Sequence, residues 1–348
     1  MRHLAGKAYW RARPGIDREI FEIRPFGLVL ELTNLCNANC VFCPYSQQTR
    51  SHEQMSEFVF KKAVADFVAA GGGSVDLTPT VGDPLIHPDF VDWVHYLRSI
   101  PEIDRITVTT NAILLGRHGA QRVLDSGLSR INISLAGFDE DMYRRVYRSN
   151  SYRKVRDNIA ELLALNSKRP EPVTIFLCLR PDRPAKEVLA DPDLKPLLAY
   201  RPNLTFLSTF SRSGGLISSL PSGMDLAPVE TRPKPAPCRF TFTGLTVQSS
   251  GDVQICPCES SVNAPALVIG NIHRQSLQEI WHCEKLRALR ASFTDGTLNP
   301  NCSKCDSYYQ PPGFHLPRMR EMAKASRRRY AGEIVRHLEP VRGEWQLE

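Results

Sequence analysis

No stretch of the chain approaches about 18 uninterrupted apolar residues, which excludes a membrane-spanning helix. The opening MRHLAGKAYWRARPG has no apolar run ahead of a small-residue cleavage site, so the chain is expected in the cytoplasm. Self-similar segments of solenoid length are missing as well, which removes the repeat architectures. What remains is a chain of 348 residues, 42% hydrophobic, enough to bury a large core and too apolar to be disordered. Its formal charge of +7 sits at the ends: residues 1–26 and residues 313–348 each carry a net +3. The body between them is nearly neutral, and Arg327-Arg328-Arg329 reads as a solvated helix face rather than a nucleic-acid footprint.

Ten cysteines in a chain without an export signal point to metal or redox chemistry rather than disulfides. Three lie in one run, Cys36-x3-Cys40-x2-Cys43, with no histidine close by. A closed zinc site needs four ligands, whereas three thiolates on one short loop suit an iron–sulfur cubane with one iron left open. A second group is spread out: Cys238, Cys256, Cys258 and the pair Cys302-x2-Cys305. Cys178 and Cys283 stand alone.

From residue 27, short apolar runs alternate with helical patterns. Strands are expected at 27–33, 74–80, 105–111, 130–136, 173–180 and 203–210, with helices at 56–70, 89–99 and 139–167 between them. The first helix runs into Gly71-Gly72-Gly73, a stop signal. Six strand–helix units imply a parallel sheet with helical crossovers, short of the eight of a complete barrel. The strands carry aliphatic residues in one phase and polar ones in the other. Ile131, Ile133 and Leu135 alternate with Asn132 and Ser134, and Ile175, Leu177 and Leu179 with Phe176, Cys178 and Arg180. Since side chains alternate across a strand, the polar set lines a lumen, with the cysteine loop at its C-terminal rim. Beyond a Gly/Ser/Pro-rich stretch at 213–237 come a hairpin turning near Gly251-Asp252 and an amphipathic helix at about 276–292.

These residues resemble the radical S-adenosylmethionine (SAM) superfamily. Cys36, Cys40 and Cys43, with Phe42 before the last cysteine, match the motif whose thiolates hold the SAM-binding [4Fe–4S] cluster. Val81-Gly82-Asp83-Pro84 is similar to the family's Gly-Gly-Glu-Pro segment, with Val and Asp in place of the first Gly and the Glu. Thr109-Thr110-Asn111 and Asn132-Ile-Ser134 resemble its third- and fourth-strand segments. The resemblance thus implies Phe42, Gly82, Asp83, Asn111, Asn132 and Ser134 as SAM-contacting residues. At its Arg-Gly position the chain has Tyr147-Arg148, and no arginine is carried over. The C-terminal unit is similar to the "twitch" extension, a shortened SPASM domain, which implies a second [4Fe–4S] cluster on Cys238, Cys256, Cys302 and Cys305. The fold implied is α/β: an N-terminal extension (1–26), a partial (β/α)6 barrel (27–212), the twitch unit (213–312) and a basic helical extension (313–348).

The implied chemistry is reductive cleavage of SAM, with an electron from a flavodoxin-type reductase. It yields a 5′-deoxyadenosyl radical that abstracts hydrogen from a small-molecule substrate. An all-cysteine auxiliary cluster suits electron uptake. The first expectation is therefore oxidation of a hydroxyl, as in the twitch-type dehydrogenases of sugars and aminocyclitols. Arg180 is the candidate to hold a carboxylate. Cys178 or Cys258 returning a hydrogen atom would instead make an epimerase; Cys258 is also an alternative cluster ligand. A peptide-modifying maturase is a third reading, and a non-catalytic iron–sulfur or zinc protein that binds nucleic acid a fourth.

Overall fold

The computed structural model describes residues 24–308 apart from 223, 225, 232, 235 and 236. The basic C-terminal extension and all but three residues of the N-terminal one therefore lie outside the described residues. Six parallel strands form within or beside the expected segments: β1 (Gly27–Leu30), β2 (Gly73–Asp76), β3 (Ile103–Thr110), β4 (Arg130–Leu135), β5 (Thr174–Leu179) and β6 (Asn203–Phe206). The first, second and last end three or four residues early, and Thr209–Phe210 pairs instead with Ala227–Pro228. Each pairs with the next in order, and helical crossovers connect them. Their aliphatic phase is the core: Ile106, Val108, Ile131, Ile133, Leu135, Ile175, Leu177 and Leu179 are all buried. The opposite phase, with Thr107, Thr109, Asn132, Ser134, Phe176, Cys178 and Arg180, is half-buried along one polar concave face.

Helix α1 (Glu57–Ala69) starts where Ser56 accepts a hydrogen bond from Val59 N and stops at the three glycines, all at positive φ. Helix α2 (Phe90–Arg98) follows β2. The long helix expected at 139–167 is two: α3 (Glu140–Tyr147) and α4 (Tyr152–Asn166). Arg148 takes a left-handed φ of 49° between them, and Ser149, Asn150 and Ser151 favour the turn. The helix expected at 276–292 is likewise broken, into α5 (Leu277–Trp281) and α6 (Glu284–Asp295). Cys283 caps the second piece, its Sγ accepting from Leu286 N at 3.4 Å.

The sheet does not end at β1. The expected hairpin forms as β7 (Gly244–Val247) and β8 (Asp252–Gln254), and β9 (Val268–Asn271) adds a third strand. Strand β7 pairs in parallel with β1, from Gly27 opposite Gly244 to Leu30 opposite Val247. The three strands complete a nine-stranded sheet, so the auxiliary unit is built directly onto the barrel. Among the described residues no helix is long and apolar enough to cross a membrane.

Candidate active site

The Cys36–Cys43 loop leaves the C-terminal end of β1 and is fixed by neighbours on every side. An α-helix leaves its last carbonyls without intrahelical partners. Because α3 ends at Tyr147, two of its carbonyls receive the loop: Val41 N donates to Val146 O at 2.9 Å and Asn39 N to Tyr147 O at 3.2 Å. At the end of β3, Asn111 Nδ2 donates to Asn37 Oδ1 at 2.7 Å and approaches Cys36 Sγ at 3.9 Å. Asp83 ties the next two loops together. Its backbone N donates to Leu35 O at 2.8 Å, while its carboxylate accepts from Leu85 N, Thr110 Oγ1 and Asn111 N at 2.7–3.1 Å. Burial pushes the Asp83 carboxyl up to about 6 despite those donors. Gly82 stands at φ 121°, and a Cβ there would lie 2.8 Å from Thr33 O and 2.9 Å from Leu35 O, so only glycine fits.

On the other side of the loop, the Arg180 guanidinium lies 4.7 Å from the Phe42 ring centroid and donates to Ser134 Oγ at 3.3 Å. Ser134 Oγ also bonds the Tyr147 hydroxyl at 2.8 Å, and Tyr147 meets Phe42 edge-on at 5.7 Å. Asn132 lies deeper, accepting from Arg130 Nε at 2.7 Å and donating to Thr109 Oγ1 at 3.2 Å. Cys178 pairs in register with Ser134; burial raises its thiol, and Arg180 and Arg130 oppose the rise. Burial also holds Cys36 up to about 12 and pushes Cys40 and Cys43 well up. Such thiols keep their protons until a metal displaces them.

The five cysteines of the auxiliary unit, Cys238, Cys256, Cys258, Cys302 and Cys305, line one cavity. Cys256 is held below the ordinary thiol value by hydrogen bonding with Cys258, whose own thiol the same contact pushes well up. No three His, Cys, Asp or Glu side chains among the described residues close on a single ion. A soft, all-thiol donor set in that arrangement fits a cluster, and three loop thiols that can hold three corners fit the other.

Several residues at the site match no motif in the sequence. Glu259, next to Cys258, is pushed up by burial against the opposing charge of Arg180 and accepts from Ser213 Oγ at 3.3 Å; its charge adds to the burial that pushes Cys43 up. Asn263 accepts from Thr49 N at 2.9 Å and donates to Gln47 O at 2.8 Å. Asp306, beside Cys305, accepts from Ser211 Oγ at 2.8 Å and Arg212 N at 2.5 Å. Glu31, inward-facing as its phase predicts, is fully buried against Arg50, with contacts of 2.6 and 3.0 Å. The contacts of Asn263 and Asp306 join the auxiliary unit to the barrel.

The radical SAM superfamily model matches residues 30–191, and the iron–sulfur cluster-binding domain model matches residues 238–306, together more than half of the chain. The chain belongs to the radical SAM superfamily. A GTP 3′,8-cyclase of Alkaliphilus oremlandii is 30% identical over 150 residues, which are 42% of this chain and 46% of that protein. The chain thus matches less than half the length of such relatives. Among solved structures, BtrN in complex with AdoMet and 2-DOIA is 18% identical over 83% of this chain and 97% of its own, with a TM-score of 0.53. Streptococcus suis SuiB bound to precursor peptide SuiA is 13% identical over 76% of this chain and 66% of its own, at 0.56. These likenesses show the fold: a radical SAM partial barrel with a C-terminal iron–sulfur unit. As a radical SAM enzyme it uses S-adenosylmethionine and two [4Fe–4S] clusters, one that binds SAM and one auxiliary.

Proposed function

We propose that this radical SAM enzyme oxidises a hydroxyl of a small molecule, a sugar or aminocyclitol, with the auxiliary cluster as electron acceptor. In this reading Cys36, Cys40 and Cys43 hold the SAM-binding cluster, and Cys302, Cys305, Cys238 and Cys256 the auxiliary one. The barrel is residues 27–212 and the twitch unit 213–312. Phe42, Gly82, Asn111, Asn132 and Ser134 surround SAM, while Asp83, its oxygens taken by protein donors, holds the loops that carry them. When bound, these groups supply one-electron chemistry: hydrogen abstraction from the substrate carbon and uptake of the remaining electron. The chain's residues orient the substrate and exclude water. Arg180 offers a cation to an anionic group, and Glu259 is the nearby carboxylate that accepts the hydroxyl proton. A flavodoxin-type reductase supplies the initiating electron.

The observation that supports this reading is the pair of Asn263 hydrogen bonds to Thr49 N and Gln47 O, which brings the auxiliary unit against the segment that follows the first cysteine loop. Epimerisation is the second reading, because Cys178 lies on the half-buried polar face, beside Ser134. The two separate when reduced enzyme turns over candidate sugars and aminocyclitols with SAM in heavy water. A carbonyl product without solvent deuterium supports oxidation; deuterium at an inverted carbon supports epimerisation and sinks the first reading.

A further inference from the structure

Five thiols face a cavity that, under the family assignment, holds a cluster with four corners. Three of the five have no competitor. Cys302 and Cys305 are joined through the turn in which Cys305 N donates to Cys302 O at 3.2 Å, and Cys238 lines the same cavity from a separate segment. The fourth corner has two claimants, Cys256 and Cys258, separated only by Pro257. Their backbones are held in a shared way. Ser261 Oγ lies 3.0 Å from Cys256 O and 2.7 Å from Cys258 O, yet one hydroxyl proton serves only one acceptor at a time. Gln254, fully buried, supplies the alternative by donating to Cys256 O at 2.7 Å and to Ser261 Oγ at 3.1 Å. Cys258 O also accepts from Ser261 N at 2.9 Å, so either carbonyl is satisfied whichever way the Ser261 hydroxyl turns, and neither position of the segment need strand a polar group.

We propose that Cys256 and Cys258 are interchangeable ligands to the fourth corner of the auxiliary cluster. In the exchange one iron–sulfur bond breaks and another forms. The proton of the incoming thiol passes to the outgoing thiolate, and no oxidation state changes. The inference rests on the auxiliary cluster of the proposed function, and the experiment separates the two.

The test uses the full chain carrying Cys36→Ala, Cys40→Ala and Cys43→Ala, so that only the auxiliary cluster remains, reconstituted anaerobically and assayed for iron, sulfide and the EPR signal of the reduced form. This parent binds about four irons. Added Cys256→Ala or Cys258→Ala each keep about four irons and give two distinguishable EPR signals that added imidazole leaves unchanged, while the pair together leaves three thiolates and an open iron, so that imidazole shifts its signal. Cys256→Ser and Cys258→Ser, which preserve side-chain volume, are read in the same way should an alanine variant misfold. Loss of iron, or a signal that imidazole shifts, in either single variant overturns the exchange, as does a double-variant signal that imidazole leaves unchanged. A parent that binds no iron strikes the auxiliary cluster itself.

Discussion

Replacing Arg50 by alanine removes the partner of a carboxylate that has no access to water. Glu31 is 0% exposed at its side chain and Arg50 20%, and two charge-assisted contacts of 2.6 and 3.0 Å join them. Breaking one side of a buried pair costs about 3–5 kcal/mol, because the remaining charge stays desolvated and alone. The partial exposure of Arg50 places this case at the lower end, about 3 kcal/mol. Among the described residues, only Ser249 Oγ, at 3.5 Å, remains to compensate. For a protein of this size each kcal/mol is worth about 2 °C, so Arg50→Ala is expected to melt about 6 °C lower at equal iron loading. The double variant Glu31→Leu/Arg50→Met, which replaces both charges by apolar groups, is expected within about 1 kcal/mol of the wild type. Urea unfolding followed by tryptophan fluorescence under anaerobic conditions measures both. A single-variant cost below about 1 kcal/mol, or a double variant as unstable as the single one, would refute the reasoning.

Three more outcomes follow from the site. The Asp83 carboxyl is raised from 3.8 to about 6, so ionising it costs the folded state more than the unfolded one. Stability is fully present below pH 3.8 and falls by about 3 kcal/mol as pH rises through 6; Asp83→Asn removes that fall, which urea midpoints at pH 4 and 7 detect. Gly82→Ala forces a Cβ to within 2.8 Å of Thr33 O at a positive φ, and about 2 kcal/mol or more of stability is lost together with SAM binding, read by equilibrium dialysis. Arg180→Lys keeps the charge but loses the guanidinium contact with Phe42 and the bond to Ser134, and turnover is expected to fall about tenfold or more with iron content unchanged.

The strand phases were legible in the sequence because a period of two needs no partner to be seen: Ile131, Ile133 and Leu135 are buried whatever lies on the other side. The glycine stop after Ala69 and the Cys36–Cys43 run are local signals of the same kind. Pairing of β7 with β1 is not local, since nothing in Leu28 or Leu245 names the other across more than two hundred residues. The break after Tyr147 was hidden because Tyr152, Val155 and Ile159 continue an apolar helical pattern, and the Ser-Asn-Ser turn signal alone does not override it. Glu31 faced inward by phase, but only the structure shows Arg50 holding it. Glu259 and Asn263 were invisible, being lone polar residues whose roles depend on a loop two hundred residues away.

The account stands most directly on two clusters and the splitting of S-adenosylmethionine. Anaerobically reconstituted protein should hold about eight irons and eight sulfides per chain, fall to about four when Cys36, Cys40 and Cys43 are all alanine, and release 5′-deoxyadenosine and methionine once reduced with SAM present. Iron near zero with zinc in its place, or full iron loading without SAM cleavage on reduction, would contradict it.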